Sequence, residues 1–79
     1  MRYAWIRGVG EWYRQVGNDI SFALAYIRIN NDRYEVAAEV YGKKAVWHDY
    51  CDAKGGSAEQ EYKAKRKATA MAKQLLKGG

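Results

Sequence analysis

The last third of the chain constrains its fold most. Ser57-Ala58-Glu59-Gln60 runs into Glu61-Tyr62-Lys63-Ala64-Lys65-Arg66-Lys67-Ala68-Thr69-Ala70-Met71-Ala72-Lys73-Gln74-Leu75-Leu76-Lys77. At 100° per residue, Ala64, Ala68, Met71, Ala72 and Leu75 fall in one stripe with Leu76 at its edge, and Lys63, Arg66, Lys73 and Lys77 fall on the opposite face. Ser57 and Gln60 have capping-box spacing. Glu59 to Lys63 and Glu61 to Lys65 are i,i+4 pairs in the favourable order, and Gly78-Gly79 ends the pattern. The spacing therefore predicts one amphipathic helix over 57–77, packing on one face and cationic on the other.

The residues before it read as strands within 2–51. Gly8-Val9-Gly10 divides an aromatic-rich start into Arg2–Arg7 and Glu11–Val16, and in the second half Trp12, Arg14 and Val16 alternate with Glu11, Tyr13 and Gln15. Gly17-Asn18-Asp19 is turn chemistry. It leads into Ile20–Ile29, where Ile20, Phe22, Leu24 and Tyr26 alternate with Ser21, Ala23, Ala25 and Ile27, the pattern of a central strand. Asn30-Asn31-Asp32 tolerates left-handed backbone and predicts a tight hairpin. In the returning strand Arg33–Tyr41, Tyr34, Val36, Ala38 and Val40 face the core, and Arg33, Glu35, Ala37, Glu39 and Tyr41 face out. Lys44–Cys51 is the last strand. Strands followed by one helix predict a single α+β domain over 1–79: a three- to four-stranded antiparallel sheet covered on one face by the C-terminal helix, its other face uncovered.

A chain of 79 residues, 48% hydrophobic and 29% charged, has the makeup of one small folded domain, of a size at which pairing into a homodimer would add useful buried area. No stretch has the length of a membrane span, the first residues lack a signal peptide's apolar run, and the single Cys51 makes no internal disulfide. The expectation is a cytoplasmic protein with no membrane partner.

Charge distribution says more than the net +5. Residues 57–79 carry five Lys and one Arg against two Glu, and residues 1–56 carry eight bases against seven acids. The helix thus holds the positive field, which suits an acidic partner such as nucleic acid as well as a solvated face.

The sequence offers no enzyme signature. His48 and Cys51 would point to opposite faces of a strand, which defeats a nucleophile pair. One His and one Cys without paired-ligand spacing do not make a zinc site, and Gly8-Val9-Gly10 lacks the Gly-Lys-Ser/Thr of a phosphate loop. Glu35 and Glu39 read as solvent-side charges balanced by bases. No cofactor, metal or catalytic residue is expected. The rings Tyr3, Trp5, Trp12, Tyr13, Phe22, Tyr26, Tyr34, Tyr41, Trp47, Tyr50 and Tyr62 outnumber what one covered face would hide, so some should be exposed, either to stack on bases or to anchor a protein interface. The candidate binding residues are Lys63, Lys65, Arg66, Lys67 and Lys73 with Trp5, Trp12, Tyr13 and Trp47.

The segment from Tyr34 to Lys44, then Gly55-Gly56-Ser57 and Lys65 to Leu76, resembles the second half of a double-stranded-RNA-binding domain, a family in which a sheet precedes a helix whose lysine-rich start contacts duplex phosphates. That resemblance implies Lys65, Arg66 and Lys67 as phosphate contacts. The element order is also similar to the small three-stranded DNA-reading domains of integrase arms. In size and style the chain is similar to phage-encoded anti-CRISPR and other anti-defence proteins. Together these imply a non-catalytic binding protein from a phage or mobile element that engages nucleic acid. The alternative is a protein-directed inhibitor that docks on a nucleic-acid-processing complex and blocks it sterically.

Overall fold

In the computed structural model, residues 4–30, 33–40, 47–50 and 57–77 are described. Five strands, β1 (Ile6–Arg7), β2 (Glu11–Gly17), β3 (Phe22–Asn30), β4 (Arg33–Val40) and β5 (His48–Tyr50), form an antiparallel meander in chain order, and α1 (Ser57–Leu76) follows. The expected sheet under one C-terminal helix is present. Its long members are β2, β3 and β4, with a two-residue strand at one edge and a three-residue strand at the other.

The turns show why the strands begin where they do. At the first, Gly10 takes a φ of 78° and the Gly8 amide donates to the Glu11 carbonyl at 2.7 Å. At the second, the Asn18 side-chain oxygen accepts from the amides of Ile20 (2.9 Å) and Ser21 (2.7 Å). That Asx turn holds Ile20 and Ser21 out of the sheet, so β3 starts at Phe22 rather than at the expected Ile20, and Ile20 is 96% exposed. Gly17 closes β2 with a φ of 111°, where a Cβ would sit 2.5 Å from the Ser21 carbonyl oxygen, so glycine is required. The pairing of Asn30 with Arg33 places the β3–β4 hairpin where expected. Its tip, residues 31–32, lies outside the described residues, as do 41–46 in the last expected strand and loop, Tyr3, Cys51 and the 52–56 linker. The expected Ser57 cap involves a side chain outside the described set.

Register assigns the faces. Val16 pairs with Ala23 and Ala23 with Val40; Trp12 pairs with Ile27 and Ile27 with Val36. These residues face α1, as do Ala25, Ala38, Tyr34 and Tyr50. The core is thin: Ala23, Ala25 and Ala38 of the sheet meet Ala64, Ala68 and Ala72 of the helix, and the largest fully buried side chains are Ile27 and Val36. An i,i+4 row of alanines on the helix and small side chains on the sheet together let α1 sit close, and Trp12, Tyr34, Met71, Leu75 and Leu76 pack around the seam. Of the large residues of β3, Ile27 faces the helix and Phe22, Leu24 and Tyr26 take the far face. Ion pairs Glu59–Lys63 (3.4 Å) and Glu61–Lys65 (3.0 Å) form as the sequence predicts.

The helix is placed off centre. It lies chiefly over β3 and β4 and touches β2 less, so the β1–β2 side of the same sheet face is left without a roof.

Candidate functional site

The unroofed strip is a groove of about 690 Å³ between one flank of α1 and β2. Trp5, Arg14, Gln15, Val16 and Gly17 form one wall, and Tyr62, Lys65, Arg66, Thr69, Ala70 and Lys73 form the other. Arg14 reaches it because strand alternation puts it on the helix-facing side, between Trp12 and Val16, at a position the helix does not cover. The helical residues reach it because 62, 65, 66, 69 and 73 are separated by three, four, seven and eleven residues from the first, which is one face of an α-helix.

Trp5 is packed on its inner side against the core and holds two cations at its ring, the Arg14 guanidinium at 5.9 Å and the Lys65 ammonium at 5.7 Å. Lys65 also pairs with Glu61. Further along, the Arg66 guanidinium lies 5.8 Å from the Tyr62 ring, which is 61% exposed. Thr69 donates its hydroxyl hydrogen to the Lys65 carbonyl at 2.8 Å, and Gln15 donates to the Asn18 carbonyl at 3.3 Å. Among the described residues, each charged side chain lining the groove is a cation, and no Asp or Glu lines it. Among the described residues, Arg14, Arg66 and Lys73 have no carboxylate partner. Four cations gathered in a concave strip set up a positive potential that a chain of anions would relieve.

Of the residues singled out in the sequence, Trp5, Lys65, Arg66 and Lys73 come together here. Lys63 and Lys67 do not: each is two residues from Lys65, about 200° around the helix, and neither lines the groove. Trp12 packs against the core with Arg7 at 5.3 Å over its ring. Tyr13 and Trp47 lie on the opposite face of the sheet, each tilted against Tyr26 at centroid distances of 6.4 and 6.1 Å. Arg14 and Tyr62 were not among the expected residues. The signal for Arg14 was a cation on the core-facing side of a strand, and for Tyr62 a mixed basic and aromatic stripe beside the apolar one.

On that opposite face Arg28 pairs with Glu35 at 2.7 Å and lies 4.0 Å from the Trp47 ring centroid. The Tyr26 hydroxyl donates to Glu39. Burial, then the hydrogen bond to Glu39 and the charges of Glu39 and Glu11, push the Tyr26 phenol well above its usual range. Glu35 is thus balanced by a base as the sequence predicts, whereas Glu39 accepts from the Tyr26 hydroxyl and has no base on it among the described residues. Ala37, expected to face out, is on this face yet fully buried beside its pair partner Tyr26. Among the described residues there is no group of three or more potential metal ligands, and no helix is long and apolar enough to cross a membrane.

No protein-family model, curated protein or solved structure matches this chain.

Proposed function

We propose that this chain is a non-catalytic binding protein that engages nucleic acid along the groove between α1 and β2. The observation that carries the reading is the lining itself: Arg14, Lys65, Arg66 and Lys73 beside Trp5 and Tyr62, with no acid among them. Phosphate neutralisation by such a set is the main source of affinity for any nucleic acid, and it releases condensed counterions, so binding weakens steeply as salt rises. The charges stand on rigid elements, a helix and a strand, and Trp5 restrains two of them, which lowers the ordering entropy lost on binding.

A second reading has its own observation. Phe22 is 42% exposed and Ile6 52% exposed on the face of the sheet away from the helix, where a protein partner would find apolar anchors. That is the surface a protein-directed inhibitor would use, with the helix charges dispensable.

Fluorescence anisotropy of labelled DNA and RNA over a range of salt separates the two. Four phosphate contacts give a slope of log affinity against log salt of about −3. Arg66→Glu with Lys73→Glu abolishes binding in protein shown by circular dichroism to be folded. Binding that ignores salt, or no binding to any nucleic acid, removes the proposal and favours the second reading.

A further inference from the structure

The groove's shape and rings say more than its charge. Its cations stand on both walls of a groove, Arg14 on β2 and Lys65, Arg66 and Lys73 on α1, rather than on one convex surface. The domain measures 36 × 22 × 22 Å, so a stiff duplex comparable in width to the domain could lie across the strip without entering it. The basic residues of α1 do not form one row on its outer side, since Lys65 points into the groove and is held there by Trp5 and Glu61. Lys67 lies about 200° away from it around the helix. A duplex also hides the faces of its bases, which would leave the exposed Tyr62 ring with nothing to stack on.

An unpaired strand meets each of these features. We infer that the groove takes single-stranded nucleic acid, with a base stacked on Tyr62 beside the Arg66 guanidinium and phosphates running past Arg14, Lys65 and Lys73. The inference rests on the nucleic-acid reading above and narrows it to one form of the polymer. Trp5 is a positioning residue: its ring fixes where Arg14 and Lys65 present their charge. From Tyr62 to Lys73 the helix rises about 16 Å, which spans roughly five nucleotides at the step of a stacked strand. Aromatic stacking is sequence-tolerant because every base has a π face, so the groove discriminates unpaired from paired strands more than one sequence from another.

The test compares four labelled probes of equal length at one salt concentration: oligothymidylate, oligouridylate, a DNA duplex and an abasic sugar-phosphate strand. Either base-bearing single strand is expected to bind more tightly than the duplex, and the two show which sugar is preferred. The abasic strand, with the same phosphates, binds about five- to 150-fold more weakly than its base-bearing counterpart. Tyr62→Ala produces a loss of the same size on the base-bearing strand and little on the abasic one, while Tyr62→Phe keeps the affinity. Tyr62 is an exposed helix residue, so the variants remain folded, which circular dichroism checks. A duplex that binds as tightly as the single strands, or an abasic strand that binds as tightly as a base-bearing one, overturns the inference while leaving nucleic-acid binding intact. Failure of all four probes overturns both.

Discussion

The groove beside the helix and the far face of the sheet both bring rings and cations together, yet they differ in what those groups still lack. On the far face Arg28 has both a carboxylate, Glu35 at 2.7 Å, and a ring, Trp47 at 4.0 Å, and Asn30 donates to the same Glu35 at 3.3 Å. The Tyr26 hydroxyl has Glu39. These groups complete one another within the fold. In the groove, among the described residues, Arg14 and Arg66 have rings but no carboxylate partner, and Lys73 has no carboxylate partner either. Rings alone therefore do not distinguish the two surfaces; cations without a carboxylate partner beside those rings do.

The difference traces back to packing. Alanines on α1 and on β3 and β4 seat the helix chiefly over β3 and β4, which leaves the part of β2 around Arg14 uncovered, while Phe22, Leu24 and Tyr26 take the other face. The sharpest way to break this arrangement is to enlarge the seam. Ala68→Leu adds volume to a site that is fully buried. It is expected to destabilise the protein by about 1–3 kcal/mol, seen as a lower urea midpoint. For a domain this small each kcal/mol corresponds to roughly 4–8 °C in Tm. An unchanged midpoint would mean that the helix is held less closely than the alanine seam implies.

A smaller effect probes two phenols, Tyr26 on the far face and Tyr34 on the helix-facing side. Tyr26 and Tyr34 both have raised phenol pKa values, each led by burial, with Glu39 adding to the first and Glu61 to the second. The folded state thus keeps protons that the unfolded chain begins to lose near pH 10. Their contribution to stability is fully present below that pH and is lost as pH rises through the folded values. Urea midpoints should be flat with respect to these groups from pH 7 to about pH 10 and fall beyond it. Tyr26→Phe should make the fall shallower, with Tyr34 supplying the remainder, and should leave nucleic-acid affinity at neutral pH unchanged. A fall as steep in the variant as in the parent would show that Tyr26 is not protected as described.

Much of this fold was legible in the sequence because the signals are local. The stripe of Ala64, Ala68 and Ala72 defines the buried face of α1, Asn18 defines a turn, and the alternation of Tyr34, Val36, Ala38 and Val40 assigns the faces of β4. The faces of β3 were not legible, since Phe22, Leu24 and Tyr26 on one side and Ala23, Ala25 and Ile27 on the other are both apolar. The choice depends on the size match with alanines some forty residues away. The strand start at Ile20 was misplaced because a side-chain oxygen competes with the ladder for its amide. The site was legible as residue types and not as a place: Trp5, Lys65, Arg66 and Lys73 converge, whereas Lys63, Lys67, Trp12, Tyr13 and Trp47 are carried elsewhere by helix phase and strand parity.

Amide chemical-shift mapping of isotope-labelled protein titrated with a single-stranded oligonucleotide decides whether the groove or the far face receives nucleic acid. Binding in the groove gives salt-sensitive shifts concentrated at Arg14–Gly17 and along Tyr62–Lys73, with Tyr26, Arg28 and Glu35 unmoved. Shifts centred on Phe22–Arg28, or a spectrum unchanged at saturating oligonucleotide, would contradict it.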